Sequence, residues 1–213
     1  MKKPEGEKLT WHFLAPNVHD FMWAADRDYT HTKYIAKDGT LLRFFYQENE
    51  RTKAPWEALP AIMSEALEFL NTNYGKYPYK VYSFVQGGDG GMEYPMATLI
   101  TGERGLASLV GVSVHEMVHS WYQMVLGSNE SLYAWMDEGF TTYASAETMN
   151  HLRAKRLIPG SQSPIHKPAI TMATSDLLPV ATKSRSPLMQ ITSTPIVLMA
   201  WLLTRKVACC WGN

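Results

Sequence analysis

The sequence lacks several features that would assign it to a broad functional class. Its two cysteines, Cys209 and Cys210, are adjacent and provide neither a disulfide framework nor metal-ligand spacing. It lacks an excess of charge of either sign, since 20 basic residues balance 20 acidic ones, so no positive field is present to hold nucleic acid. Apolar runs such as 195–203 are much shorter than the roughly 20 residues of a membrane-spanning helix. We therefore expect no nucleic-acid partner and no membrane span.

The chain is nevertheless rich enough in apolar residues to fold. Of its 213 residues, 46% are hydrophobic, which predicts a globular protein with a sizeable core. Residues 1–11 carry lysines without a following apolar stretch, so we expect no signal peptide there. These features leave the cellular compartment open.

The first half of the chain predicts strands around one helix. Aromatic and aliphatic runs predict strands at 11–14, 41–47 and 80–85, with a turn at Asp38-Gly39. Apolar residues at helical spacing predict an amphipathic helix from Pro55 to the residue before Gly75.

The remaining pattern turns from strands to helices. Residues 92–100 predict an extended segment whose proline indicates a sheet edge. Two helical stretches are expected at 108–126 and from about 132 to about 152. Strands followed by packed helices predict an α+β fold.

The most informative motif is His115-Glu116-Met117-Val118-His119 inside the first of these helical stretches. Histidines at positions i and i+4 lie on the same helix face, so both imidazoles can reach one metal ion. Glu116 points about 100° away around the helix and can face a water on that ion. The alternative is a helix with two structural histidines and a surface glutamate.

A third ligand determines the kind of zinc site. Metzincins place glycine and histidine at the third and sixth positions after the second histidine, but Tyr122 and Val125 stand there. Glu138, separated from His119 by 18 residues, lies early in the next helical stretch. A helical hairpin of this length can return its carboxylate to the histidine face. Two imidazoles and one carboxylate leave an open position on zinc, which is typical of catalytic sites.

These segments resemble the gluzincin zinc aminopeptidases typified by aminopeptidase N. The resemblance rests on HEMVHSW at 115–121, the 18-residue spacer, WMDEGF at 135–140 and GGMEYP at 90–95. The last occupies the place of the family's Gly-x-Met-Glu-Asn motif, with Tyr94 where most relatives have asparagine. The resemblance covers roughly residues 1–150 and implies an incomplete thermolysin-like zinc peptidase catalytic domain, preceded by a remnant of an N-terminal β-domain.

The resemblance assigns Gly90, Gly91, Met92 and Glu93 to substrate binding. Glycines allow a backbone to approach a ligand closely, and an edge strand can pair with a peptide. The Glu93 carboxylate would attract a protonated N-terminus and reject a mid-chain peptide, which has no charge to pair. The alternative is a glycine-rich turn that leaves Glu93 in solvent.

Together, these residues predict one zinc ion, held by His115, His119 and Glu138, and metal-assisted hydrolysis of the N-terminal bond of peptides with a free N-terminus. Glu116 is predicted to take a proton from the attacking water and pass it to the leaving amine. The resemblance also implies an oxyanion-stabilising tyrosine several tens of residues after the third ligand. No tyrosine follows Tyr143, so we expect impaired activity. The alternatives are a zinc-binding, catalytically inactive fragment and a purely structural remnant.

The predicted domain division has three parts: 1–40 as the remnant of the β-domain, 41–158 as the partial catalytic domain, and 159–213 as a poorly structured tail. The tail sustains neither a helical nor a strand period. If degenerate codons for residues 189–212 are read in a shifted frame, they are compatible with a sequence that contains Tyr-Ser-Lys-Gly. This is the sequence context in which the oxyanion-stabilising tyrosine is expected from the resemblance. We therefore expect that the tail is an out-of-frame translation and that the chain is a truncated fragment.

Overall fold

The computed structural model describes residues 12–88 and 90–165, and these residues form a five-stranded sheet with three α-helices. The elements in chain order are β1 (Tyr29–Ile35), β2 (Leu41–Gln47), α1 (Lys53–Tyr74), β3 (Val81–Gln86), β4 (Met92–Tyr94), β5 (Ala97–Ile100), α2 (Leu106–His119) and α3 (Phe140–Ala154). The fold is mixed α/β, in general agreement with the predicted strands and packed helices.

The sheet is mixed and runs in the order β1-β2-β3-β5-β4. The inner pairs β2–β3 and β3–β5 are parallel, whereas β1 and β4 add antiparallel strands at the two edges. Asp38 stabilises the turn between β1 and β2, because its Oδ1 accepts a hydrogen bond from the Thr40 backbone N–H at 2.9 Å. The predicted turn at Asp38-Gly39 is therefore confirmed, and Gly39 has the positive φ of 90° that such turns favour.

Two of the predicted strands need correction. The extended segment expected at 92–100 is a hairpin, in which β4 turns at Pro95-Met96 and returns as β5. Met96 has a positive φ of 61°, so the chain reverses instead of continuing. The prediction of a sheet edge is right for β4. Residues 12–14, expected to be part of a strand, have no regular secondary structure.

The core lies between one face of the sheet and the helices. Alternate residues of β2 and β3 point to this face, and Phe44 stacks on Phe84 with ring centroids 4.9 Å apart. Tyr46 stacks similarly on Trp56 of α1 at 5.2 Å. The predicted amphipathic helix is confirmed as α1, whose apolar face supplies most of its buried residues. A smaller apolar cluster on the opposite face includes Val85 of β3.

The two later helical stretches lie approximately where they are predicted, but part of each is π-helical instead of α-helical. After His119, the helix continues as π-helical turns through Ser120–Val125, and a second π-helical segment, Trp135–Gly139, leads into α3. Turns of this type are rare and often occur at functional sites. The first begins directly after the predicted ligand His119, and the second contains the predicted ligand Glu138. In the described part of the chain, no helix is long and apolar enough to cross a membrane.

The division into three predicted domains stays a prediction. β1, which falls within the predicted 1–40 segment, pairs along its whole length with β2. Most of the predicted tail, 166–213, lies outside the described residues, as do residues 1–11 and Asp89.

Candidate metal centre

Helix α2 presents the histidines of the HEMVH motif at its C-terminal end. Val114, Met117 and Val118 of this helix are fully buried in the core, which fixes its rotation. His115 and His119 therefore face away from the apolar core, with their ring centroids 5.0 Å apart. Both rings are thus held on one face, as the spacing predicts.

Glu138 brings its carboxylate to this face. Its Oε2 lies 3.2 Å from His115 Nε2 and 3.8 Å from His119 Nε2. One potential ligand atom from each residue lies within 4.8 Å of the others. The hydrogen bond from His115, opposed by burial, lowers the pKa of the Glu138 carboxyl. The structure thus brings together the three residues predicted to hold zinc, although 18 residues separate Glu138 from His119.

The orientation of His119 is fixed by Asp137. Asp137 Oδ1 lies 2.6 Å from His119 Nδ1, and both side chains are buried. Burial by itself would lower the pKa of His119, but the hydrogen bond and charge of Asp137 outweigh it and raise the pKa. A carboxylate can only accept a hydrogen bond, so Nδ1 carries the proton in the neutral ring and Nε2 presents a lone pair.

The donor set fits a zinc ion. His119 is only 1% exposed, and its Nε2 has no hydrogen-bond partner among the described residues. A buried polar atom without a partner is costly, and a metal ion would satisfy it. Two imidazole nitrogens and one carboxylate are a donor set typical of catalytic zinc, and a carboxylate on the second ring nitrogen is the usual support for a histidine ligand.

Glu116 packs against Gly91, the residue directly before strand β4. Glu116 is 6% exposed, and this burial raises the pKa of its carboxyl to about 7, against the opposing effect of His115 and His119. A carboxyl with a pKa near neutrality can both accept and release a proton at physiological pH. Gly91 makes this packing possible, because a Cβ there would lie 2.4 Å from Glu116 Oε1.

Glu93 lies on the edge strand β4, facing the same region. A carboxylate oxygen of Glu93 lies within 4.8 Å of ligand atoms of Glu116 and His119. β4 pairs on one side with β5, in a register that puts Glu93 opposite Thr98. The structure therefore places the second motif beside the first, as the resemblance implies.

A cavity of about 350 Å³ connects these groups. Three of the predicted substrate-binding residues line this cavity, namely Gly91, Met92 and Glu93. Gly90 does not line it, and its backbone carbonyl accepts a hydrogen bond from Arg104 at 2.6 Å. The described lining of this cavity contains five carboxylates and no lysine or arginine; the carboxylates belong to Glu93, Glu116, Glu130, Asp137 and Glu138. Such a wall favours positively charged ligands.

Two lining carboxylates have no clear signal in the sequence. Asp137 is next to a predicted ligand, so its sequence position fits a residue that orients a ligand and an exposed helix residue equally well. Only its burial distinguishes these two alternatives. Glu130 lies in the connection between the two π-helical segments, where no motif singles it out. Only the tertiary structure places both carboxylates at the cavity.

Comparison with known proteins gives a partial match. No family model matches the chain. Over 61 aligned residues it is 41% identical to aminopeptidase B of Rattus norvegicus, Mus musculus and Homo sapiens. This alignment covers 26% of the chain and 9% of each relative, so it spans only a small part of these proteins.

Among solved structures, the chain is similar to the crystal structure of an M1 zinc metallopeptidase from Deinococcus radiodurans. The TM-score is 0.47 and the sequence identity 18%, over 60% of this chain and 29% of that one. The similarity to an aminopeptidase in sequence extends over one segment of the chain.

Proposed function

We propose that this chain carries the zinc site of a metallo-aminopeptidase, which hydrolyses the N-terminal bond of peptides within a thermolysin-like catalytic domain. The observation that carries the proposal is the convergence of His115, His119 and Glu138 around a buried imidazole nitrogen without a partner, beside a buried glutamate. The partial similarity to aminopeptidase B supports the same reaction class.

Each side chain has a role that follows from its surroundings. His115, His119 and Glu138 would hold zinc, which when bound supplies Lewis-acid chemistry. Glu116 removes a proton from the attacking water and delivers it to the leaving amine, a cycle for which a pKa of about 7 is well suited. Glu93 pairs with the protonated N-terminus of the peptide and fixes its position relative to Glu116.

A zinc-binding protein without turnover is the second candidate. It is favoured by the absence of any tyrosine after Tyr143 in the sequence, since the family resemblance implies an oxyanion-stabilising tyrosine in that region. The loss of one such donor typically costs about 10²- to 10³-fold in rate. We therefore expect this chain to be a weak catalyst.

Metal analysis and kinetics test the proposal together. The purified chain should bind one zinc, His119→Ala should lose it, and Glu116→Gln should retain it. Hydrolysis of an alanyl peptide with a free amine should exceed that of its N-acetylated form and should fall by at least about 10²-fold in Glu116→Gln. Full zinc binding by His119→Ala would exclude the metal site. Stoichiometric zinc without any Glu116-dependent turnover would favour the non-catalytic alternative.

A further inference from the structure

The connection between β3 and β4, residues 87–91, is composed almost entirely of glycine and is called the glycine segment below. Four of its five residues are glycine, which by itself allows the backbone many conformations. Gly91 nevertheless has a defined place, because a Cβ there would lie 2.4 Å from Glu116 Oε1. Gly91 also lines the cavity at the candidate metal centre. The contacts that hold this segment therefore decide how its backbone meets a bound ligand.

Arg104 binds the glycine segment from the connection between β5 and α2. Its Nη2 donates a hydrogen bond to the Gly90 backbone carbonyl at 2.6 Å. A hydrogen bond from a charged donor is stronger than one between neutral groups. Because the Gly90–Gly91 peptide group is planar and trans, fixing its carbonyl also fixes the direction of the Gly91 N–H. Arg104 thus sets the orientation of a peptide group at the edge of the cavity.

The guanidinium of Arg104 is itself held by two further hydrogen bonds. Nε donates to Thr101 Oγ1 at 2.9 Å, directly after β5, and Nη1 donates to Ser108 Oγ at 3.2 Å in the first turn of α2. A guanidinium is planar and its donors have fixed relative directions, so contacts at three nitrogens leave it little freedom to turn. Arg104 therefore connects the glycine segment to the helix that carries His115 and Glu116.

We propose that Arg104 is a positioning residue for the peptide substrate, which holds the Gly90–Gly91 peptide group in place before the substrate binds. The inference rests on the proposed function and adds to it, because none of the motifs that carry the resemblance includes Arg104. A segment that is already ordered in the free protein costs less entropy on binding than one that the ligand must order. Arg104 therefore strengthens the binding of ligands that lie along residues 91–93, and not of ligands that contact the metal alone.

Ligand binding to the zinc-loaded full chain tests this role without requiring turnover. One probe is a phosphinic analogue of Leu-Ala, which is long enough to extend from the metal along the glycine segment. The other is acetohydroxamate, a metal ligand too small to reach that segment. In calorimetric titrations, Arg104→Met should bind the phosphinic dipeptide about 10-fold more weakly and acetohydroxamate within about 2-fold of wild type.

Further variants separate the hydrogen bond from the bulk of the side chain. Arg104→Gln, whose side chain is too short to reach Gly90, should show the same loss as Arg104→Met. Arg104→Lys, which keeps the charge and a donor, should recover part of the loss. Arg27→Met, at an exposed arginine outside the cavity lining, is the matched control and should bind both ligands as wild type does.

Hydrogen exchange measures the effect on the glycine segment directly. In the metal-free protein, the amides of Gly90 and Gly91 should exchange faster in Arg104→Met than in wild type when followed by NMR, while those of α2 should be unchanged. Unchanged exchange at both glycines would show that other contacts hold the segment and would overturn the proposal.

The binding results can contradict the proposal in two further ways. Equal weakening of both ligands would mean that Arg104 supports the metal centre or the fold as a whole, and wild-type affinity for the phosphinic dipeptide in Arg104→Met and Arg104→Gln would exclude any part in binding. Either result overturns this inference and leaves the proposed function standing. A zinc-loaded wild type that binds the phosphinic dipeptide no more tightly than acetohydroxamate instead contradicts the proposed aminopeptidase function, and this inference with it.

Discussion

At the scale of single residues, the site depends on which nitrogen of His119 carries its proton. The short contact between Nδ1 and Asp137 fixes the ring so that Nε2 faces Glu138. Many relatives in the family that the sequence resembles have an acidic residue seven positions after the third ligand, where this chain has Ser145. Ser145 is buried, and its hydroxyl has no hydrogen-bond partner among the described residues. Asp137 therefore provides the carboxylate contact to His119.

Replacing Asp137 by asparagine should weaken zinc binding. The amide can still accept a hydrogen bond from Nδ1, but it removes the negative charge that makes the imidazole a better ligand. The expected loss in zinc affinity is about 10- to 100-fold, measured by competition with a chelating dye at neutral pH. Asp28→Asn, which changes an exposed aspartate far from Asp137 in the sequence, serves as the control. Equal zinc affinity in Asp137→Asn and wild type would show that Asp137 does not support the ligand.

At the scale of secondary-structure elements, an ionic cluster joins α1 to the end of α3. The carboxylate oxygens of Glu65 in α1 lie 2.9 Å from His151 Nε2 and 2.6 Å from Lys155 Nζ. Lys37 Nζ lies 3.6 Å away from the same carboxylate. Burial acts to raise the pKa of Glu65, but the bonds from Lys155 and His151 prevail and lower it from 4.5. The charged carboxylate thus stabilises the packing of these helices.

This lowered pKa predicts how stability depends on pH. A carboxyl whose pKa is lower in the folded than in the unfolded state stabilises the fold above the unfolded value, and the contribution is lost as the pH falls through the folded value. Glu65→Gln should therefore lower the free energy of unfolding by about 1 kcal/mol at pH 7. Below about pH 4.5, the free energy of unfolding of this variant should fall less steeply with decreasing pH than that of the wild type.

Urea unfolding followed by circular dichroism over this pH range measures the effect. Glu57→Gln, at an exposed position of the same helix, should follow the wild-type pH profile. Parallel acid profiles for Glu65→Gln and wild type would contradict the assignment of this stabilisation to Glu65.

At the scale of the whole molecule, the three residues proposed to hold zinc belong to separate parts of the fold. His115 and His119 belong to α2, whereas Glu138 belongs to the π-helical segment that leads into α3. An ion bound by all three would favour the folded state, because the unfolded chain does not hold the ligands together.

Zinc should therefore raise the thermal midpoint of unfolding. At a free zinc concentration of about 100 times the dissociation constant, the expected stabilisation is about 2.7 kcal/mol. The double variant His115→Ala/His119→Ala should show no zinc-dependent shift in a thermal melt, while keeping the helical signal of the wild type without zinc. An equal shift in both proteins would mean that zinc binds elsewhere.

The sequence determined those parts of the fold and site that depend on local spacing. Helix α1 and the common face of His115 and His119 follow from a period of 3.6 residues per turn, which holds wherever the helix is packed. Strand β2 is similarly evident from its aromatic and aliphatic residues. By contrast, β1 has mostly exposed positions and lacks the apolar pattern that would identify it, so only its pairing with β2 makes it a strand.

Tertiary structure decided the features that depend on contacts between distant segments. The approach of Gly91 to Glu116 and the meeting of Glu93 with Glu130 join residues that are 25 and 37 positions apart in the sequence. No local period encodes such contacts, because they arise from how β4 and the helical connection pack against α2. The burial of Asp137 likewise depends on packing against a distant segment, since its contact is with His119 of α2. The proposed metal ligands could therefore be named from the sequence, whereas the shape and charge of the cavity around them depend on packing.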